Sequence, residues 1–400
     1  MYKLLLIKRM IEDVFIYPFI LTGKLIALTH PLRKEYGIFF FFPFYHTGGA
    51  EKVHSMLANA AGGNDCIIFF TKRSADNRFL NEFRRSGCDI KDVSKFTDNK
   101  WLYFLNFFYR GILSGYIDRQ QQKPIVFNGQ CNFGYKISPW IKKSIPQIEL
   151  IHSFNTFSQI RIPFLPFISK TIMISRKRIE DHKEQYKRYN IPDSFSERIQ
   201  YIPNAITLPN HISKKSSDEL TILYVGRGSK EKRVEIIAEI AHEFNSSHEQ
   251  SVKFEILGDV AGTIDKKAHS FIKFYGNRND ENQISEIYEK AHVLILTSTT
   301  EGFPMVIMEA MAHGCAILST PVGDIPYHVK NKENGFLFSE IDDQKKIIDE
   351  AKEKITWLKD HRTDLKMIER NNINYAKNNF GIERFNKDYR ELFLSIKSKD

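Results

Sequence analysis

Residues 293–319 read VLILTSTTEGFPMVIMEAMAHGCAILS, and this stretch decides the fold. Two short apolar runs, Val293–Leu296 and Ala316–Ser319, lie on either side of a helical pattern over Pro304–Ala312. Apolar runs of this length around a helix predict two buried parallel strands joined by a crossover helix. The stretch therefore predicts one βαβ unit of an α/β fold.

The same alternation continues in both directions along the chain. It predicts an α/β fold of two Rossmann-like, doubly wound domains that face each other across a cleft. The polar stretch Asn210–Glu219 marks the boundary, with the first domain over 36–208 and the second over 209–375. Residues 376–400 form a predicted amphipathic helix, which we expect to pack back on the first domain. Further strands are predicted at Gly37–Phe42, Cys66–Phe70, Ile125–Asn128, Leu150–Ser153, Thr171–Ser175, Ile199–Ile202, Thr221–Val225, Phe254–Leu257, Ile272–Tyr275 and Gly335–Phe338.

Residues 1–35 precede the first predicted strand and form an N-terminal amphipathic extension. One helical face of it is apolar, and a second apolar piece, Phe19–Leu28, follows Pro18. Such an extension either lies in a membrane interface or packs on the first domain as a pair of helices. In the first case the extension and the basic helix Arg176–Arg188 would face an anionic leaflet. The apolar face consists of Leu4, Ile7, Ile11, Val14 and Phe15, and the cations of the extension are Lys3, Lys8, Arg9 and Lys24.

The composition is that of a globular protein. The 400 residues are 42% hydrophobic and 26% charged, which excludes a disordered or fibrous chain. The four cysteines form no CxxC pair, so we expect reduced thiols. No apolar window is long enough for a membrane span, and Lys8 and Arg9 interrupt the first apolar run, so we expect no signal peptide. These features favour a cytoplasmic protein, with attachment to the inner face of the plasma membrane as a hypothesis.

The net charge of +10 is unevenly distributed. Residues 1–200 hold 30 Lys and Arg against 17 Asp and Glu, whereas residues 201–400 hold 28 against 31. A basic first half indicates an anionic partner: a phosphorylated substrate, nucleic acid or an acidic membrane surface. No helix-turn-helix, RRM, KH or zinc-finger pattern is present, so we expect no nucleic-acid partner.

Two glutamates in the central stretch are candidate ligand contacts. Glu301 follows a predicted strand, and Glu309 lies eight residues later inside the predicted helix. Ionised carboxylates accept hydrogen bonds, so both suit the hydroxyls of a sugar or ribose. Backbone amides at the start of the helix would face the crevice at the carboxyl end of the sheet, where an anion binds favourably. These amides lie around Phe303–Val306, where Pro304 itself has no N–H to offer.

Cations and glycines follow other predicted strands. The segment YVGRGSKEKR ends a strand at Gly226 and offers Arg227, Lys230, Lys232 and Arg233 for phosphate oxygens. In the first domain, Gly48 and Gly49 stand between a strand and a helix, where backbone can approach a phosphate. This loop matches neither the GxGxxG nor the Walker pattern, which argues against a dinucleotide enzyme or a P-loop ATPase.

Five segments together resemble the retaining family-4 glycosyltransferases, formerly glycosyl transferases group 1. They are GGAEKV (48–53), IPNAI (202–206), YVGR with Lys232, EGFPMVIMEAMAHG (301–314) and STPVGDIP (319–326). The resemblance covers most of the chain from Gly37 onward. It implies the GT-B fold, a UDP- or GDP-sugar donor held mainly by the second domain, a saccharide or lipid-linked saccharide acceptor, and no cofactor or essential metal.

The resemblance also implies residue roles. Glu301 corresponds to the contact with donor-sugar hydroxyls, Glu309 to the ribose contact, and Arg227 with Lys232 to the diphosphate clamp. His152 resembles a first-domain histidine beside the transferred sugar. Gly48, Gly49, Asn204, Gly226 and the segment Gly302–Met305 correspond to further donor-binding positions. The chain departs from the family pattern at Thr297-Ser298 and at Gly323–Tyr327, which puts the donor preference in doubt.

The predicted function is therefore a retaining hexosyltransferase in cell-surface polysaccharide synthesis. Two alternatives stay open: another GT-B enzyme, such as a sugar-nucleotide epimerase or a phosphorylase, and a non-catalytic basic protein that binds membranes. An epimerase needs no acceptor, and a phosphorylase usually needs a lysine-bound pyridoxal cofactor.

Overall fold

The computed structural model describes residues 1–46, 48–99, 101–102, 104–212, 215, 219–246, 252–278 and 280–397. It divides the chain into two compact units, Met1–Pro203 with Phe385–Asp400, and Asn204–Arg384. Each unit is built on one parallel sheet with helices, so the predicted α/β fold of two Rossmann-like domains is confirmed. Half of the predicted boundary stretch 210–219 lies outside the described residues, and the second unit begins a few residues before it.

The first unit contains a seven-stranded parallel sheet in the order β3-β2-β1-β4-β5-β6-β7. Its strands are β1 (Ile38–Phe42), β2 (Cys66–Phe70), β3 (Asp89–Asp92), β4 (Ile125–Asn128), β5 (Gln147–Ile151), β6 (Lys170–Met173) and β7 (Ile199–Tyr201). Its helices are α1 (Tyr2–Thr29), α2 (Gly49–Ala61), α3 (Leu80–Arg85), α4 (Ser94–Thr97), α5 (Leu105–Asp118), α6 (Asn132–Ile137), α7 (Phe157–Ile160) and α8 (Arg176–Tyr189). Short 3-10 turns follow at Ser138–Trp140, Ile162–Phe167 and Asp193–Phe195.

The second unit contains a six-stranded parallel sheet in the order β10-β9-β8-β11-β12-β13. Its strands are β8 (Leu220–Val225), β9 (Val252–Leu257), β10 (Ile272–Gly276), β11 (Val293–Leu296), β12 (Ala316–Ser319) and β13 (Gly335–Leu337). Its helices are α9 (Val234–Ser246), α10 (Glu281–Lys290), α11 (Met305–Ala312), α12 (Ile325–His328), α13 (Gln344–Asp360) and α14 (Arg362–Phe380), and α15 (Ile382–Lys397) leads back to the first unit.

The strand β1 shows how each sheet is covered on both faces. Its sequence IFFFF is buried along its whole length, and successive side chains point to opposite faces. Phe39 and Phe41 pack in one core with α5 and α6. Phe40 lies 6.4 Å from Phe393 of α15, measured between ring centroids, and Phe42 stacks at 4.4 Å on His54 of α2. The helices α5 and α15 therefore cover opposite faces of the first sheet.

The N-terminal extension differs from the expected pair of helices. Residues Tyr2–Thr29 form one continuous helix, with Pro18 inside it. A proline removes one helical hydrogen bond and usually breaks an isolated helix, but here α1 lies closely against α5. A Cβ atom at Gly23 would come within 2.2 Å of the backbone oxygen of Phe108, and one at Gly111 within 2.2 Å of that of Ile20. This backbone contact supports α1 over the turn that follows Pro18.

Two of the cations predicted to face a membrane point into the protein instead. The Lys24 ammonium donates to Asp118 at 2.8 Å and to the backbone oxygen of Trp140 at 2.7 Å. Arg9 donates to the backbone oxygen of Pro163 at 3.2 Å and lies over the Phe167 ring. Among the described residues, no helix has both the length and the apolar character needed to cross a bilayer.

Candidate functional site

The loop between β11 and α11 carries Glu301, and two donors from neighbouring positions bind this carboxylate. The Lys232 ammonium, from the loop after β8, lies 2.5 Å from Oε1 of Glu301. The Ser298 hydroxyl donates to the same oxygen at 2.8 Å. The structure thus joins the predicted sugar contact and one arm of the predicted diphosphate clamp in a partly buried ion pair.

Hydrogen bonds from side chains to backbone oxygens hold the loop after β8 against the loop after β11. The Thr297 hydroxyl donates to the backbone oxygens of Lys232 and Arg233 at 3.1 and 3.0 Å, and the Arg233 Nε donates back to the Thr297 oxygen at 2.7 Å. Arg233 adopts a left-handed φ of 49° and is only 6% exposed. Its burial lowers the pKa of this guanidinium. Arg233 was predicted to bind phosphate oxygens, but its side chain instead joins the loop after β8 to the loop after β11.

The loop after β12, around Gly323, packs against the backbone of Glu301 and Gly302. Gly323 has a φ of +59°, and a Cβ atom there would lie 2.2 Å from the backbone oxygen of Gly302. The next amide, that of Asp324, donates to the same oxygen at 2.7 Å. Glycine is required at position 323 by both its backbone angle and this close approach.

At the start of α11, backbone amides rather than side chains are available to a ligand. The helix begins at Met305, with Pro304 as its extended N-cap. The Phe303 ring is 7% exposed and stacks on His328 at 4.1 Å, so Phe303 belongs to the core. No described atom lies within 4 Å of the place where a Cβ at Gly302 would stand. The first amides of a helix have no acceptor within it, so a ligand can approach them beside Gly302.

Glu309 is held by a buried tyrosine that the local sequence pattern did not mark as part of a site. The Tyr288 hydroxyl of α10 donates to Oε2 of Glu309 at 3.1 Å. Burial, with the nearby Glu309 charge, raises the pKa of Tyr288 well above its usual range, so the phenol keeps its proton and donates it. Tyr288 also stacks on His313, one turn after Glu309. The carboxylate is thereby given a fixed direction.

Arg227 is the exposed member of the predicted clamp. Its backbone oxygen accepts from the Tyr224 hydroxyl at 2.8 Å, which shapes the turn after β8. Burial, followed by the charge of Glu301, raises the pKa of Tyr224. At Gly226 a Cβ atom would lie 2.7 Å from the same hydroxyl, so this turn requires glycine for its own packing.

In the first unit, the loop with Gly48 and Gly49 connects β1 to α2. Thr47 lies outside the described residues. Gly48 is the extended N-cap of α2, and the buried Glu51 carboxylate covers it, 2.1 Å from a would-be Cβ. Burial raises the pKa of Glu51. The next residue, Gly49, has no described atom within 4 Å of its Cβ position, so packing does not require a glycine there.

His152 follows β5 and forms a pair with a second histidine. Its Nε2 lies 2.9 Å from Nε2 of His54 on α2, and the two rings meet edge to face. Burial lowers the pKa of His152 to about 4 and that of His54 well below its usual range. Two neutral rings can share this hydrogen bond only if one donates and the other accepts. The sequence did not single out His54.

Comparison with known proteins adds a similarity to one family. Residues 210–375 match the family described as glycosyl transferases group 1. This match runs from β8 into α14 and includes the Lys232–Glu301 pair. The second unit is therefore similar to a group 1 glycosyltransferase domain.

Curated relatives and solved structures are also similar to this chain. The gpi3 subunit of phosphatidylinositol N-acetylglucosaminyltransferase from Schizosaccharomyces pombe is 28% identical over 176 residues, 41% of this chain and 37% of that protein. An α-1,4-N-acetyl-D-galactosaminyltransferase from Campylobacter jejuni, named for an undecaprenol-diphosphate-linked saccharide, is 27% identical over 215 residues, 52% of this chain and 57% of that one. The chain thus spans less than two thirds of either relative. The fold is that of Anabaena HepE, whose structure was solved with UDP-glucose, at a TM-score of 0.69, 18% identity and coverage of 90% and 99%.

The second unit brings together only part of the predicted set. Glu301, Lys232, Gly302 and the start of α11 form one local site. Asn204 opens the second unit, is 6% exposed, and has no hydrogen-bond partner for its Oδ1 within the described part of the chain. His152, Gly48 and Gly49 belong to the first unit. Their roles toward a ligand stay predictions.

Proposed function

We propose that this protein is a retaining glycosyltransferase of family 4. It moves a sugar from a UDP- or GDP-sugar to a saccharide or lipid-linked saccharide in the synthesis of a cell-surface polysaccharide. The observation that carries the proposal is the Lys232–Glu301 pair beside the open start of α11, inside a glycosyltransferase domain.

The donor is proposed to lie along this pair. An ammonium has three N–H donors, so Lys232 can hold Glu301 and also donate to a phosphate oxygen. A carboxylate accepts several hydrogen bonds, so Glu301 can take a sugar hydroxyl while Lys232 and Ser298 hold its Oε1. Glu309, directed by Tyr288, is the proposed ribose contact. The structure of HepE with UDP-glucose supports a nucleotide-sugar donor for this fold.

The leaving diphosphate is proposed to be stabilised by protein groups alone, without a metal or cofactor. Arg227 and Lys232 supply positive charge, and the first amides of α11 supply donors where negative charge grows. Donors fixed in advance stabilise a transition state without reorganising, and the ties through Thr297 and Arg233 fix Lys232 in this way.

Retention is proposed to follow a same-face path through an oxocarbenium-like state. The acceptor hydroxyl attacks the anomeric carbon as the bond to the diphosphate breaks, and the departing phosphate oxygen takes the hydroxyl proton. His152 is the proposed neighbour of the transferred sugar. Its lowered pKa makes it a neutral hydrogen-bonding group near pH 7.

A lipid-linked acceptor is supported by the two curated relatives, which are named for phosphatidylinositol and for an undecaprenol diphosphate. Such acceptors lie in a membrane. We propose that the reaction takes place at the cytoplasmic face of the plasma membrane, with the protein attached peripherally.

Incubation with a panel of UDP-, GDP- and ADP-sugars and saccharide acceptors tests the proposal. We expect release of one nucleoside diphosphate together with a new glycoside, whose NMR coupling shows the anomeric configuration of the donor. An inverted product would refute retention. A new sugar nucleotide without diphosphate release would indicate an epimerase, and no reaction with any donor would favour a non-catalytic protein.

A further inference from the structure

The helix α1 turns an apolar stripe outward from the first unit. Its outward stripe is apolar over the full length of the helix, and Val14 and Phe15 are 72% and 75% exposed. A helix on a protein surface normally buries such a stripe. The stripe consists of Leu4, Ile7, Ile11, Val14, Phe15, Leu21, Leu25 and Leu28.

The six charged side chains of α1 divide evenly: Lys3, Lys8 and Glu12 are exposed beside the stripe, and the other three turn toward the protein. Arg9 and Asp13 approach each other at 3.4 Å and are both mostly covered, and Lys24 binds Asp118 of α5. Burial raises the pKa of the Asp13 carboxyl against the effect of Arg9. Water would favour the reverse arrangement, with charges outward and apolar groups inward. The outward stripe therefore suits an apolar medium.

The stripe is a fixed feature of the unit. Gly23 and Ala27 of α1 meet Gly111 and Gly115 of α5, with backbone or small side chains in contact along the crossing. The amino end of α1 is anchored as well, because Tyr2 is buried in a cluster with Tyr186 of α8 and Ile162. Rotation of α1 to bury its stripe would break these contacts and expose Arg9 and Lys24.

Cations and aromatic rings surround the stripe. Tyr2 packs against Tyr186, so the carboxyl end of α8, with exposed Lys187 and Arg188, lies beside the start of α1. Farther along, Tyr17 is 55% exposed beside Trp140. Phe104 is 53% exposed and contacts Phe108, which packs on Phe19 of α1. Basic and aromatic residues around an apolar stripe are typical of the boundary between headgroups and acyl chains.

We propose that the stripe of α1 docks flat on a lipid bilayer with anionic headgroups. The 28 residues of α1 extend about 40 Å, enough to lay the whole stripe along the surface. Because Arg9 and Lys24 point inward, the apolar contact contributes most of the binding, and cations such as Lys3 and Lys187 add a smaller, salt-sensitive share.

Co-sedimentation of the full-length protein with vesicles tests this docking in the absence of any nucleotide sugar. We expect binding to pure phosphatidylcholine vesicles and stronger binding when phosphatidylglycerol is added. Salt at 1 M should remove only the extra binding that phosphatidylglycerol causes. The variant Val14→Glu/Phe15→Glu should partition at least about tenfold less, because two exposed apolar side chains become charged. Both side chains are exposed in the fold, so the variant should keep its thermal stability.

The matched control is Leu394→Glu, because Leu394 is 65% exposed and lies on α15, across the first sheet from α5. It should bind vesicles like the parent. The proposal is wrong if the parent stays in the supernatant with both vesicle types, or if the double variant binds as the parent does. It is also wrong if the double variant instead abolishes a dimer seen by light scattering, since the stripe would then join two copies. Nucleotide-sugar turnover enters none of these outcomes, so they are independent of the proposed transfer reaction.

Discussion

Replacing Gly302 by alanine tests whether a ligand approaches the start of α11. A Cβ at Gly302 would meet no described atom within 4 Å, and Gly302 is not among the residues of positive φ. Gly302→Ala should therefore change the free energy of unfolding by less than about 1 kcal/mol, in the stabilising direction, because alanine restricts the unfolded chain.

The same methyl group should weaken donor binding. If the sugar or diphosphate lies against this backbone, the methyl group displaces it from one amide of the first turn. Loss of one charge-assisted hydrogen bond costs about 1.5–3 kcal/mol, so the dissociation constant of the nucleotide sugar should rise about 10- to 150-fold. Isothermal titration of the parent and the variant measures this change, and thermal denaturation checks the fold.

Two other glycines serve as controls. Gly262 is equally open and has no positive φ, so Gly262→Ala should change stability by the same small amount and leave donor affinity unchanged. Gly323→Ala should lower the free energy of unfolding by about 1–3 kcal/mol, because its φ is +59° and its Cβ would meet the backbone of Gly302 and Glu301. Equal donor affinities for Gly302→Ala, Gly262→Ala and the parent would refute the placement of the ligand.

Lys232→Met should lower kcat about 10- to 150-fold with a smaller effect on donor binding. The control Lys352→Met breaks an exposed lysine–glutamate pair and should leave kcat unchanged. Equal rates in both variants would show that Lys232 does not act in the reaction. Glu309→Gln should weaken calorimetric binding of the bare nucleoside diphosphate, while Glu301→Gln should spare it and lower kcat; equal losses in both assays would contradict separate roles. Burial lowers the pKa of His152 from 6.5 to about 4, so between these values the unfolded state binds more protons, and the free energy of unfolding should fall as the pH drops through this range. Urea denaturation at several pH values should show a shallower fall in His152→Gln, and identical slopes would contradict the buried neutral state.

Strong apolar runs made most of the fold predictable. The run CIIFF at Cys66–Phe70 and VLIL at Val293–Leu296 appear as strands with the predicted bounds, because strands buried on both faces are apolar throughout. The edge strand Asp89–Asp92 was not predicted, since its sequence DIKD lacks such a run. The helix Leu105–Asp118 was also missed, although its apolar residues fill the core under β1.

The site was predictable in its residue types and less so in its contacts. Glu301, Lys232 and Gly302 were selected from their positions after strands, where parallel sheets place their loops together. Their pairing could not be derived, because it depends on Thr297 and Arg233, whose left-handed backbone turns the side chain inward.

Residues brought close only by tertiary packing were missed. Tyr288 reaches Glu309 from another helix, 21 residues away, and His54 meets His152 across 98 residues. Nothing in the local pattern around either residue marks it as part of a site.

Transfer of a radiolabelled sugar is the decisive measurement for this protein. The donor consumed in the nucleotide-sugar panel is incubated, in labelled form, with the full-length protein and a membrane extract containing lipid-linked saccharides. We predict that label enters the lipid fraction in proportion to nucleoside diphosphate release, in the parent and in Lys352→Met, and that Lys232→Met loses both. Label that stays in the nucleotide sugar, or that moves equally in Lys232→Met, would contradict the proposed glycosyl transfer at this site.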